Sequence, residues 1–159
     1  MTEARRLFEG EACALAAAAV DDEQIAALDR MARDIARHAG GEDGERVEHD
    51  FHLAVAHATR NAAIVAAVEE IWLLRRQFSD CTKALRRARL AAPDAFADDH
   101  RRIVDALRAR DPKDARRAIH DHLNRTVEVL LAMAERDALE RTRREMADRR
   151  EALLRRTAI

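Results

Sequence analysis

The residues in this chain best suited to chemistry are its histidines, seven in 159 residues, and the acids one helical turn from them. Around Phe51, Glu48 and His52 are four residues apart, which stacks them on one flank of an apolar helical stripe. His49 and His57 fall on the opposite side and read as solvated. His100 lies inside the apolar stripe of a later segment, between Ile103 and Val104 on the helical wheel. His120 and His122 flank the centre of a third stripe at comparable angles, and the wheel does not choose between them. One carboxylate and three imidazoles are costly to bury unless paired, and a divalent cation pairs all of them at once. That donor set suits zinc, nickel, manganese or iron(II), not a pure calcium or magnesium site.

Other metal chemistries fit less well. Di-iron carboxylate bundles need a Glu three residues before a His on two helices, and no histidine here has an acid at that spacing. The dipeptides His49-Asp50 and His120-Asp121 resemble those of metal-dependent phosphohydrolases, but His49 points away from the apolar stripe. A metal-activated hydrolase is the alternative reading of the cluster. It lacks a further acid on the same faces to serve as general base.

The elements that must position these residues are helices. Hydrophobic residues make up 48% of the chain and charged residues 37%, with four Gly, two Pro and no Tyr, which leaves little material for a sheet. Six amphipathic segments follow the helical period. The first carries Phe8, Ala12, Leu15 and Ala19. The second opens at Asp21, with Gln24 placed to complete a capping box, shows Ile25, Leu28, Ala32 and Ile35, and stops at Gly40-Gly41. The third carries Val47, Phe51, Ala54 and Ala58. The fourth reads as one long helix from Asn61 to Leu90. The fifth starts near Pro93 with Phe96, Ile103, Val104 and Leu107. The sixth starts at Asp111-Pro112, an N-cap acid followed by proline in the first turn, and carries Ile119, Leu123, Thr126, Leu130 and Met133. Short connections make neighbours antiparallel in an all-α bundle.

Residues 1–135 form this bundle. Residues 136–159 read as a charged helical extension whose apolar positions thin to Leu139, Met146 and Leu153, too narrow a seam for a coiled coil alone. A net charge of −1 gives no basic footprint for binding nucleic acid unaided, and pairs such as Arg75-Arg76 and Arg101-Arg102 read as solvated surface. The longest apolar run, Ala12 to Val20, is nine residues, too short to span a membrane, and Glu9 and Glu11 break up any signal-peptide reading. Cys13 and Cys81 form neither a disulfide framework nor a metal knuckle and read as buried free thiols in a reducing cytoplasm.

Three stretches, in order, resemble one family. Val47 to Asn61 (VEHDFHLAVAHATRN) is similar to the D-x-x-F-H…A…N signature of the FCD domain, the effector-sensing domain of FadR-subfamily GntR transcription regulators. Asp99 to Leu123 is similar to that domain's E-H-x-x-I-x-x-A-L…D…A…H-L segment, and RRLFEGEACALAA to its R-x-x-L-E-x-x-A-x-x-L-A-A opening. The resemblance covers about residues 3 to 130 and implies an antiparallel bundle of six or seven helices around a central metal and ligand pocket. It makes Glu48, His52, His100 and His122 the metal ligands, choosing His122 over His120, with Glu48 standing where the family usually has Asp. The implied metal is a divalent transition ion, zinc foremost. Arg5 and Asn61 match positions near the ligand, a small organic acid for which Arg5 is a natural clamp. The family also implies a homodimer, and DNA binding through a winged helix that this chain does not carry. The expected function is a metal-dependent carboxylate sensor, not an enzyme.

Overall fold

The computed structural model describes residues 2–38 and 42–157, and the Gly40-Gly41 stop lies outside them. Among the described residues seven helices run in order: α1 (Thr2–Ala19), α2 (Asp22–Arg37), α3 (Glu42–Ala58), α4 (Ala62–Gln77), α5 (Ser79–Ala91), α6 (Pro93–Arg108) and α7 (Pro112–Thr157). The expected all-α bundle is what forms. The Asp21 side chain accepts from the Gln24 N–H at 2.9 Å while the Gln24 carboxamide takes the Asp21 N–H at 3.0 Å, the reciprocal cap read from the sequence. Asp111 Oδ1 likewise accepts from the N–H groups of Lys113 and Asp114 and starts α7. Arg110, at φ 54°, closes α6 in the left-handed conformation, with its own N–H bonded to the Leu107 carbonyl and that of Asp111 to Ala106.

α1 is the central element. It lies along α7 and also touches α3, α4 and α6, while α2 closes the far side against α3 and α6. The main core joins Cys13, Ala16 and Ala17 of α1 to Leu28 of α2, Phe51 of α3 and Ile103 of α6. A smaller cluster packs Ala56 against Val68 and Trp72. The face of α1 differs from the expected one: Phe8 and Leu15 are exposed, and Arg5, Glu9, Ala12, Cys13 and Ala16 point inward. The reason is proximity, since small side chains let α1 approach its neighbours closely where large apolar ones would hold it away.

One further expectation changes. The single helix read from Asn61 to Leu90 is broken at Phe78 (φ −100°, ψ 88°), which is 58% exposed at the corner between α4 and α5. The apolar period runs through this corner without interruption, so the pattern hid it. The sixth segment and the charged extension form one 46-residue helix, about 69 Å long at the helical rise. Arg87 of α5 holds Asp137 at 3.2 Å, and beyond it every described side chain from Ala138 on is exposed. Cys13 and Cys81 are both free, but Cys81 is only half-buried.

The tightest approach is at Gly10. A Cβ there would collide with His120 Nε2, and that nitrogen lies 3.0 Å from the Arg6 carbonyl oxygen. Gly10→Ala is therefore expected to push His120 off this carbonyl and cost about 1–3 kcal/mol in urea unfolding. Combining it with His120→Ala should recover most of the loss, and additive losses would show that the clash is not between these two residues.

Candidate metal centre

Three helices bring the sequence-selected imidazoles together. α3 presents Glu48 and His52, its positions one turn apart, and both are buried. α6 contributes His100 and α7 contributes His122, each with no exposed surface. Ring centroids lie 4.5 Å apart for His100 and His122, 5.4 Å for His52 and His122, and 5.8 Å for His52 and His100. One nitrogen from each ring falls within 4.8 Å of the others. His120 is placed elsewhere, half-buried against α1, and His57 is exposed. His49, expected in solvent, packs edge-on against Trp72 with centroids 5.3 Å apart.

The hydrogen bonds orient two of the three rings. His52 Nδ1 is 2.7 Å from Glu9 Oε2, and His100 Nδ1 is 2.7 Å from the Phe96 carbonyl. With Nδ1–H donating in each ring, Nε2 carries the lone pair that can act as a ligand, bare on His100 and 3.4 Å from Arg5 Nη2 on His52. His100 Nε2 and both ring nitrogens of His122 are buried with no hydrogen-bond partner. Burial and the neighbouring His52 hold His100 down to about 4, and burial and His100 push His122 well below its ordinary value. His100 and His122 are therefore neutral imidazoles near pH 7, the form that binds transition metals. Orphaned imidazole nitrogens on α6 and α7, facing the buried His52 ring of α3, fit a shared cation.

Glu48 is turned differently. Its carboxylate is bonded to Arg89 of α5, both buried, and lies outside the imidazole cluster. Burial pushes its pKa up, but the guanidiniums of Arg89 and Arg75 outweigh this and hold it far below the usual carboxylate range. Arg5, the clamp implied by resemblance, is buried. It donates from Nε and Nη2 to Glu9 at 2.6 and 3.0 Å, and its Nη2 lies 3.4 Å from His52 Nε2. Burial raises the Glu9 pKa and the charges of Arg5 and His52 lower it, leaving it at about 2. Asn61 is exposed and spends its side-chain oxygen on the Ala63 and Ile64 N–H groups, capping α4.

Sequence reasoning missed a second tier around the imidazoles. Glu9 was read only as a charge interrupting an apolar run. Arg5 and Glu9, four residues apart on the face of Ala12, Cys13 and Ala16, were the available signal. Arg75 was assigned to solvated surface and is instead 2% exposed, its guanidinium 3.9 Å over the Trp72 ring. Arg89 carried no signal, because the break at Phe78 sets the direction of α5. On α6, Asp99 sits beside the cluster, with Arg125 Nε 2.7 Å from its Oδ2 and His122 Nδ1 at 3.9 Å.

The architecture is thus an all-α sensor-type bundle with a polar, histidine-lined centre. The FCD domain model matches residues 1–125. The Exu regulon transcriptional regulator of Escherichia coli K12 is 34% identical over 129 residues, covering 79% of this chain and 48% of the relative. The HTH-type transcriptional repressor NanR of Cronobacter sakazakii is 32% identical over 132 residues, covering 76% and 46%. The chain spans about half the length of the curated relatives it matches. The solved structure of E. coli McbR/YncC superposes with a TM-score of 0.66 at 19% identity, over 82% of this chain and 62% of that one, a likeness of fold. The chain belongs to the FCD family, the effector-binding domains of GntR-type transcription regulators.

The depressed histidine values set a pH dependence for metal-free protein. Below the ordinary value near 6.5 the unfolded chain takes up protons that buried His100 and His122 refuse until much lower pH. Stability is therefore full above pH 6.5 and falls as pH drops toward about 4, by about 3 kcal/mol for His100 alone. Urea unfolding of chelator-treated protein between pH 7 and 4.5 measures this. A flat profile would mean that the rings do not stay neutral in the fold.

Proposed function

We propose that this domain senses a small organic acid through a divalent transition metal, zinc foremost, held by His52, His100 and His122. The observation that carries this reading is the convergence of three buried imidazoles from three helices, with His100 Nε2 and both His122 nitrogens left without partners. When bound, the metal supplies Lewis-acid positions for carboxylate oxygens. The chain's residues do the rest. Glu9 fixes the His52 ring and the Phe96 carbonyl fixes that of His100, while Arg5 places a cation beside His52 for the acid's remaining oxygens. Glu48 is the fourth ligand in this reading, which requires its carboxylate to leave Arg89. Asn61 stays a helix cap.

Closure of these helices around the acid biases how two subunits sit, provided the acid binds one arrangement better. A homodimer is the assembly proposed, with DNA engaged through a winged-helix domain, in keeping with an HTH-type repressor among the relatives. Relatives that are transcription regulators, the Exu regulon regulator and NanR, support a place in transcription control. The sensing unit is proposed to be residues 1–135, with residues 136–159 as a helical extension. We place the protein in the cytoplasm, in keeping with the lack, among the described residues, of a helix long and apolar enough to cross a membrane. An enzymatic role finds no support. The carboxylates brought near the imidazoles are each held by an arginine, Glu9 by Arg5, Glu48 by Arg89 and Asp99 by Arg125, so none is free to activate water.

Thermal unfolding of zinc-loaded and chelated protein against a panel of small carboxylic acids tests the reading. An acid that raises Tm only in the zinc-loaded form is expected. His100→Ala should abolish that shift along with zinc uptake, and His57→Ala, on the exposed side of α3, should leave both intact. Equal shifts with and without metal would overturn metal-mediated sensing.

A further inference from the structure

Resting on that reading, the next question is which acid the site takes, and the wall formed by α4 and α5 bears on it. Three guanidiniums, those of Arg5, Arg75 and Arg89, are buried there against two buried carboxylates, Glu9 and Glu48. Arg5 and Arg89 are matched to these two acids. Arg75 is not. It makes one hydrogen bond, from Nη2 to Glu45 Oε1 at 3.3 Å, and its Nε and Nη1 are buried with no hydrogen-bond partner. A guanidinium normally spends a parallel pair of N–H groups on a carboxylate, as Arg5 does on Glu9.

Arg75 is not alone in this. Trp72 Nε1 and Thr82 Oγ1 are also buried without partners. The nitrogens in question on Trp72 and Arg75 are obligate donors, and the hydroxyl of Thr82 can donate as well. The orphans on α6 and α7 are of the opposite kind, imidazole lone pairs suited to a cation. Buried orphans cost about 1–3 kcal/mol each, so both groups are held for something. The Trp72 ring touches both groups: Arg75 stacks on it, and Arg5 is 4.7 Å and His52 5.2 Å from its centroid. Burial lowers the Arg75 pKa, and the charges of Arg5 and Arg89 add to that effect against Glu48 and Glu45. An added anion would relieve this strain.

We propose that Arg75, with Trp72 Nε1 and Thr82 Oγ1, is a second anion seat in the sensing site, and that the effector is therefore a short dicarboxylate. One carboxylate is held at the metal and the other at Arg75. Glu45 is the seat's internal surrogate. It is the least buried acid of the group, its side chain 18% exposed, and it borders a cleft of about 440 Å³ that Arg46, Arg76 and Thr82 also line. An incoming carboxylate through that cleft meets Glu45 first, displaces its one long bond and gains the parallel pair that Glu45 does not make.

Calorimetry on zinc-loaded protein with malate and 2-hydroxybutanoate tests this, since the two acids share a metal-chelating end and differ in a second carboxylate replaced by methyl. Malate is expected to bind at least about tenfold tighter. Arg75→Gln should bring malate down to the affinity of 2-hydroxybutanoate, with zinc content reporting that the imidazole cage survives. Glu45→Gln, a change near the surface, should tighten malate several-fold by freeing the seat. Equal affinities for the two acids, or no gain in Glu45→Gln, would overturn the second seat while leaving metal-mediated sensing in place. Failure of both acids to bind zinc-loaded protein would bring down the proposed function and this inference with it.

Discussion

The arrangement of this domain depends on the requirement that polar groups taken out of water find partners. Its centre holds three imidazoles, three guanidiniums and two glutamates, an expensive content for a bundle of this size. Most of that cost is offset by pairs that cross between helices. Arg89 of α5 holds Glu48 of α3, and Glu9 of α1 holds both its own Arg5 and His52 of α3. These pairs tie α1, α3 and α5 into one frame. Breaking one by removing a single partner leaves a buried charge alone, which is worth about 3–5 kcal/mol in comparable settings. What the frame leaves unmatched are imidazole lone pairs on one side and N–H donors on the other. Those unmatched atoms define the site.

Packing around the frame follows from the same requirement. α1 reaches the centre because its inward face is alanine and cysteine, with Arg5 and Glu9 one turn apart at its beginning. The large apolar residues of α1 face outward, where Leu7 is 70% exposed. Burial drives the Cys13 thiol up to about 12, helped by the nearby Glu9 charge, so it fills space as a neutral small side chain. Trp72 serves as a platform between the cationic and imidazole sides, touched by Arg5, Arg75, His49 and His52.

Helices with strong local signals were legible in the sequence. Asp21 with Gln24 and Asp111 with Pro112 are caps whose chemistry acts within one turn, and both form as written. The imidazoles were legible because His100 sits inside an apolar stripe and His52 on the flank of one, and periodicity reports burial. Choosing His122 over His120 needed the family resemblance, since the two flank their stripe alike and only tertiary packing sends His120 toward Gly10. Arg75 and Arg89 were illegible for a related reason. Charged residues are assigned outward by default, and their burial depends on partners such as Glu48 and Glu45 that lie far away in sequence. The Phe78 corner was hidden because the apolar period continues through it.

The central claim is that His52, His100 and His122 hold one ion in common. Anomalous diffraction from crystals of protein purified without a metal column, collected on both sides of the zinc edge, tests it most directly. The account predicts a single strong peak within about 2.1 Å of a nitrogen from each ring. A peak confined to surface histidines such as His57, or no peak among the three rings after soaking in zinc, would contradict it.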